Sequence, residues 1–416
     1  MPPTTTQTSV LERFLRYVQI DTTSDQDSDT VPSTAKQLVL LDLLVKELQA
    51  LGLSDAERDA QGIVMATLPA TSSKKDIPVI GWLAHVDTSP DMSGANVKPI
   101  VHKNYDGRDL VLPDEPSAVL SPREDADLAG KRGEDIVTAS GTTLLGADDK
   151  SGVAVVMAAV EYLLQNPSIP HGRIRVAFTP DEEIGRGVRH FDVARFGAYC
   201  AYTLDGAAVG TLEAETFSAD AMTVTFQGRN THPGFAHGTM VNAVKVAADF
   251  VNRLPKDSLS PETTQEREGF VHPNDMVSSV DRTSVRFIIR DFETAGLAVK
   301  EDFLRELARE TVDEWPGSSV TFEVKESYRN MRDVLAKHPK VVDLAREAIR
   351  RTGLTLRETR IRGGTDGSIL SEMGLPTPNI FTGQHRFHSR LEWISVQDME
   401  KSVQVLAQLA QLWAEG

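Results

Sequence analysis

The stretch Ile77-Pro-Val-Ile-Gly-Trp-Leu-Ala-His85-Val-Asp87-Thr-Ser-Pro-Asp91 constrains this chain most, because an apolar run ends in a histidine and a carboxylate two residues apart. A short apolar run of this kind reads as a buried strand. Side chains alternate faces along a strand, so His85 and Asp87 project from the same side just past its carboxyl end. An imidazole whose second ring nitrogen is held by a carboxylate suits a metal ligand and its orienter. A lone His-x-Asp is equally an ordinary polar loop, so its meaning depends on what the other strand ends carry.

Four further clusters stand at comparable places. Leu144-Leu-Gly-Ala-Asp148-Asp149-Lys150 precedes an apolar helix that begins at Gly152, and Asp181-Glu182-Glu183 follows the apolar run Arg173–Thr179. Asp205-Gly206 closes the run Tyr199–Leu204, and Phe387-His388-Ser-Arg-Leu-Glu392 lies near the carboxyl terminus. Singly, these read as helix caps, solvated turns or surface polarity. Together they resemble a metal site at the carboxyl ends of strands, where open α/β sheets bind ligands. Imidazole and carboxylate donors without thiol point to Zn²⁺, with Mn²⁺ or Co²⁺ as substitutes, and one of the paired aspartates shared between ions implies two metals about 3.5–4 Å apart. Neighbouring glutamates diverge, so one can ligate metal while the other relays a proton from activated water to a leaving amine.

At 416 residues the chain exceeds one usual core, and two domains are expected. Its formal net charge of −16 argues against nucleic acid or an anionic membrane as partner. Cys200 is the single cysteine, and the Met-Pro-Pro-Thr-Thr-Thr start has no basic segment and apolar core for export, so the cytoplasm is the simplest location. No apolar run approaches the ~20 residues needed to cross a bilayer.

Helical patterns over Ser9–Ile20, with a capping box at Ser9 and Glu12, and over Thr34–Leu51 precede strands at Gly62–Leu68 and Ile77–Leu83. With helix Gly152–Leu164 and strands Arg173–Thr179 and Tyr199–Leu204, this alternation predicts an α/β layer structure. The Pro- and Asp-rich segment Pro90–Lys131 reads as loops or hairpins outside the core. From Ala221 the order becomes strand 222–227, helix 240–254, strands 276–280 and 284–290, helix 295–312 and strand 319–324, a βαββαβ unit that can close on itself. The first pattern then resumes with helix 339–351, strands 354–359 and 377–381, and a final helix 396–413. An active cleft between an interrupted domain and its insertion is the expectation.

On these residues the chain resembles the M20 metallopeptidase family. The resemblance is carried by His85-Val-Asp87-Thr-Ser-Pro-Asp, Leu-Gly-Ala-Asp148-Asp149-Lys, Thr-Pro-Asp-Glu182-Glu183-Ile-Gly, Leu-Asp205-Gly-Ala, His232-Pro-Gly-Phe-Ala-His-Gly-Thr-Met-Val-Asn242-Ala, Ile-Ile-Arg290-Asp-Phe-Glu, Ile-Arg362-Gly-Gly-Thr-Asp366-Gly and Phe-His388. It implies a zinc-exopeptidase-like α/β catalytic domain with a central mixed sheet, in segments 1–212 and 327–416. An inserted ferredoxin-like βαββαβ lid or dimerisation domain would occupy 213–326. It further implies two Zn²⁺ per subunit, one on His85, Asp148 and Asp205 and one on Asp148, Glu183 and His388. Asp87 would orient His85, Glu182 would activate the bridging water, and His232 would polarise the scissile carbonyl. Arg290 and Arg362, assisted by Asn242, would anchor a peptide carboxylate, for which a guanidinium is bidentately matched. The implied activity is removal of the amino-terminal residue from tripeptides.

Ser151 stands where Ala is common in the family, and Gln384-His385-Arg386 replaces a Gly-Tyr-Asn-like run before Phe387-His388, placing a second imidazole near the pocket. Other activities on the same metals, those of a dipeptidase, carboxypeptidase or N-acyl amino acid deacylase, stay open. So do a non-catalytic metal- or peptide-binding protein and a homodimer through the inserted domain.

Overall fold

The computed structural model describes residues 9–416; the Met1–Thr8 start lies outside them. The chain forms two compact units. The first comprises the described residues to Ala214 together with Met331–Arg360 and Thr365–Gly416; the second comprises Glu215–Asn330 and Ile361–Gly364. The sequence boundaries, expected at 212/213 and 326/327, thus fall slightly later, and four residues of the Arg-Gly-Gly segment return to the second unit.

The first unit is built on a mixed sheet. Its strands are β1 (Glu57–Arg58), β2 (Val64–Leu68), β3 (Ile80–His85), β4 (Ile174–Thr179), β5 (Cys200–Gly206), β6 (Thr211–Thr216), β7 (Arg357–Ile361) and β8 (Asn379–Phe381), in the order β1-β2-β4-β3-β5-β8-β6-β7. β3 runs parallel to both β4 and β5, with His85 opposite Thr179 and Leu83 opposite Thr203. Every residue of β3 is buried, as expected of a parallel strand covered on both faces. Three adjacent parallel strands therefore end at one edge, and the residues at or just past those ends are His85 with Asp87, Asp181 with Glu182 and Glu183, and Asp205.

Helix Ala147–Gln165 packs on β3 and β5. Its regular part starts only after Asp149, because Asp148 and Asp149 have non-helical backbone angles. Gly152 is required by close approach: a Cβ there would stand 1.9 Å from the Leu204 carbonyl oxygen and 2.4 Å from the Asp149 carboxylate. The expected capping box holds, with Ser9 Oγ accepting from the Glu12 N–H at 3.1 Å and the Glu12 carboxylate accepting from the Ser9 N–H at 2.9 Å.

The segment 90–131 holds the expected hairpin, Leu110–Val111 pairing antiparallel with Val119–Leu120, and more besides. It forms short strands Ile100–His102, Leu110–Val111 and Val119–Leu120 and helix Ala126–Ala129, and it has a core of its own. Tyr105, Leu120 and Leu128 pack with Ile136 and Trp393, a cluster that local periodicity could not show because its partner lies some 270 residues away.

The second unit carries a four-stranded antiparallel sheet in the order Phe270–Ser278, Arg282–Asp291, Ser218–Gln227, Ser319–Tyr328. Helices Ala243–Asn252 and Thr294–Asp313 complete the βαββαβ sequence. Val224, Phe226, Phe250, Phe287, Ile289 and Leu304 are fully or nearly fully buried between sheet and helices. Among the described residues no helix is long and apolar enough to cross a membrane. Phe250→Ala should lower the stability of this unit by about 3–5 kcal/mol, read by calorimetry as a lower transition temperature, with the metal stoichiometry of the protein unchanged.

Candidate metal centre

Two groups of side chains share one carboxylate. His85, Asp148 and Asp205 form one, Asp148, Glu183 and His388 the other, and within each the donor atoms lie within 4.8 Å of one another. Asp148 uses a different oxygen toward each: Oδ1 lies 3.1 Å from His85 Nε2, and Oδ2 lies 3.2 Å from His388 Nε2. Asp205 Oδ1 stands 3.7 Å from His85 Nε2, and Glu183 Oε2 stands 2.8 Å from His388 Nε2. Glu182 reaches toward the first group, its Oε2 4.0 Å from His85 Nε2.

A second layer fixes these groups. Asp87, fully buried, places Oδ1 3.2 Å from His85 Nδ1, and its two oxygens accept from the Glu182 and Glu183 N–H groups at 2.9 and 3.2 Å. One carboxylate thus sets both the imidazole and the turn that carries the paired glutamates. Asp181 occupies a left-handed conformation (φ 58°) ahead of that turn, and its carboxylate accepts from Ser33 N, Ser33 Oγ and Gln37 Nε2. Asp149 belongs to neither metal group and accepts from the N–H groups of His85 and Gly152. Glu392, buried, accepts from the N–H groups of Leu145, Gly146 and Asp148 at 2.7, 2.7 and 3.0 Å, clamping the loop that presents Asp148.

Burial and mutual repulsion shift the protonation of this cluster. Burial, then the neighbouring Asp148 carboxylate, push Glu183 up to about 8 and Asp205 up to about 6. Burial also drives Glu182 well above its usual range, with Asp205, Asp366 and Glu183 adding to the effect. For Asp148 the imidazoles of His388 and His85 outweigh burial and hold the carboxyl below its ordinary value. Burial alone would lower both histidines. Their carboxylate contacts prevail, raising His388 to about 11 and His85 well above its usual value.

Such a cluster calls for positive charge, and the donor set fits divalent cations. Glu183 keeps a buried Oε1 with no hydrogen-bond partner among the described residues, while its other oxygen faces His388. All the donors are imidazole nitrogens or carboxylate oxygens, the set expected for zinc and its close substitutes.

The remaining expected residues belong to the second unit. His232 is exposed, and its Nδ1 accepts from the Gly234 N–H at 3.1 Å. Asn242 caps helix Ala243–Asn252 by accepting from the Val244 N–H. Arg290 donates to the Ile289 carbonyl and lies over the Tyr328 ring. Arg362 donates to the carbonyls of Glu266, Glu268 and Thr264 and to Thr264 Oγ1, stacked over Phe217. His385 belongs to neither metal group. It stacks on Trp393 at 4.1 Å, and burial lowers it to about 4, so it is neutral, while Arg386 pairs with Asp125.

Residues 133–412 match the model of peptidase family M20/M25/M40. The chain belongs to the M20 peptidase family. It is 47% identical over 406 residues to peptidase T of Geobacillus sp. (strain WCH70), covering 98% of each chain, and 45% identical over 409 residues to peptidase T of Brevibacillus brevis, covering 98% of this chain and 99% of that one. Its fold matches aminopeptidase PepT of Bacillus cereus ATCC 10987 with a TM-score of 0.75 at 22% identity, over 98% of this chain and 99% of that one. It also matches a tripeptidase of Staphylococcus aureus with a TM-score of 0.76 at 21% identity, over 99% of each chain. As an M20 member with peptidase T relatives, the protein is a hydrolase of the metallo-aminopeptidase class.

Glu392 and Asp149 carry no role in the sequence reading, although both lie inside the motif clusters. A buried acid next to a proposed ligand was the available signal; its backbone partners were not. Two predictions follow from this M20 site. Glu392→Ala frees the Asp148 loop and should weaken metal affinity about 10–100-fold, measured by competition with a chromogenic chelator. Because Asp205 and Glu183 hold protons up to about 6 and about 8, cations must displace those protons, and metal affinity should rise with pH across that range. Calorimetric titration in buffers of different ionisation enthalpy would detect the released protons; a pH-independent affinity would contradict the assignment.

Proposed function

We propose that this chain is a two-metal aminopeptidase that removes the amino-terminal residue from tripeptides. The observation that carries the reading is the division of Asp148, one oxygen toward His85 and the other toward His388. His85, Asp148 and Asp205 would hold one Zn²⁺, and Asp148, Glu183 and His388 the other, with Co²⁺ or Mn²⁺ as substitutes. Bound there, the ions supply Lewis-acid polarisation of the scissile carbonyl and a lowered pKa for the attacking water. The tripeptide substrate is supported by peptidase T relatives that align along nearly the whole chain.

Glu182 is the base in this reading. Its backbone is fixed by Asp87, its carboxylate lies beside the first metal group, and it belongs to neither group. It takes the proton of the attacking water and passes it to the departing amine. Asp87 holds the His85 ring from its Nδ1 side, leaving Nε2 to face the cation. For His232, acceptance at Nδ1 assigns the ring proton to Nε2, which has no partner among the described residues and can donate to a carbonyl oxygen. Of the two arginines, Arg290 donates among the described residues to the Ile289 carbonyl and offers its other donors to the peptide carboxylate. Arg362 has four contacts to the 264–268 loop, so its contribution is to order that loop; Asn242, a helix cap, assists in the same unit.

Mass-spectrometric product analysis on a mixture of dipeptide, tripeptide, tetrapeptide and amino-acetylated tripeptide tests the reading. The Zn²⁺-loaded protein should release one amino-terminal residue from the free tripeptide alone, and Glu182→Ala should abolish release while retaining the metals. Cleavage of the acetylated peptide would overturn the aminopeptidase assignment. Arg290→Ala should raise KM about 10–100-fold with a smaller effect on kcat, as loss of a charge-assisted contact to the substrate predicts.

A further inference from the structure

An aminopeptidase must recognise a free amine, and none of the residues assigned so far does this. Beside the first metal group lies a small pocket lined by His85, Asp149, Glu182, Asp205 and Asp366, with neighbours from β3 and β5. It has room for about one water-sized group. The lining acids are not equivalent. Asp149 spends both oxygens on backbone N–H groups, Asp205 belongs to a metal group, and Glu182 is the proposed base. Asp366 has no such assignment.

Asp366 is 4% exposed and begins helix Asp366–Glu372. Its Oδ2 accepts from Thr179 Oγ1 at 2.7 Å, at the end of β4, while its Oδ1 faces Gly187. Gly187 leaves that oxygen open: a Cβ there would stand 2.7 Å from Asp366 Oδ1 and 2.9 Å from the Pro180 carbonyl oxygen. A buried carboxylate is costly unless a cation or further donors compensate its charge. A primary ammonium is compact, cationic and carries three N–H donors, which matches both the size of the pocket and the sign of its lining. An acylated nitrogen is larger and neutral and matches neither.

We propose that the Asp366 carboxylate receives the terminal ammonium of the peptide and thereby sets the requirement for a free amino terminus. The inference rests on the tripeptide-aminopeptidase reading above and adds a specificity-determining residue to it.

The test measures, on Zn²⁺-loaded protein, kcat/KM for a tripeptide and the inhibition constant of its des-amino analogue, in which the amine is replaced by hydrogen. Asp366→Asn keeps the size of the side chain and removes its charge. It should lower kcat/KM for the tripeptide about 10–100-fold while leaving the inhibition constant of the analogue within about twofold. Gly187→Ala, which crowds the same oxygen from the other side, should give the same selective loss, and it serves where the first variant does not fold. A loss that is equal for both ligands, or an unchanged tripeptide rate, overturns the role of Asp366. Failure of the wild-type protein to cleave the tripeptide at all overturns the activity itself, so the two failures are distinguishable.

Discussion

The site depends on holding one carboxylate, Asp148, between two imidazoles in a crowd of like charges. The Asp148 carboxylate pushes Glu183 and Asp205 toward protonation, and Asp205, Asp366 and Glu183 do the same to Glu182. Unaided, such side chains would swing apart. They are held by the backbone around them: Glu392 grips the N–H groups of Leu145, Gly146 and Asp148 itself, Asp87 grips those of Glu182 and Glu183, and Asp149 grips that of His85. Each clamp is itself an acid, so the structure uses buried carboxylates both to present charge and to fix where it is presented. Cations bound at the two groups would offset what the clamps alone cannot.

The sheet makes this arrangement accessible to a chain of ordinary composition. β4, β3 and β5 are adjacent and parallel, so three short apolar runs far apart in sequence end at the same edge. Their termini carry His85, the paired glutamates and Asp205. Helix Ala147–Gln165 packs against β3 and β5, and the small residues at its start, Gly152 above all, let Asp148 and Asp149 reach that edge.

Much of this was legible before any coordinates. The apolar runs before His85, Asp181 and Asp205 have strand length, and acids or histidines after each of them mark a strand-end site. The βαββαβ order was legible because its helices are long and its strands well separated. Periodicity did not decide which of Asp148 and Asp149, or of Glu182 and Glu183, faces a metal; the resemblance to the M20 family did. Long-range partners were not legible. Glu392 meets Leu145 across 247 positions, and Trp393 closes a core around the 90–131 segment. β6, Thr-Leu-Glu-Ala-Glu-Thr, hides as a strand because glutamate disfavours strands. Its Glu213 is instead satisfied by Asn379 and Thr359. His385, the second imidazole that the sequence places near the pocket, stacks on Trp393 and belongs to neither metal group.

The most direct test of the central claim is anomalous diffraction from crystals of the Zn²⁺-loaded protein. Two peaks about 3.5–4 Å apart, one beside each oxygen of Asp148, with His85 and Asp205 around the first and Glu183 and His388 around the second, are the predicted result. A single peak, or two peaks with Asp148 bonded to one ion alone, would contradict it.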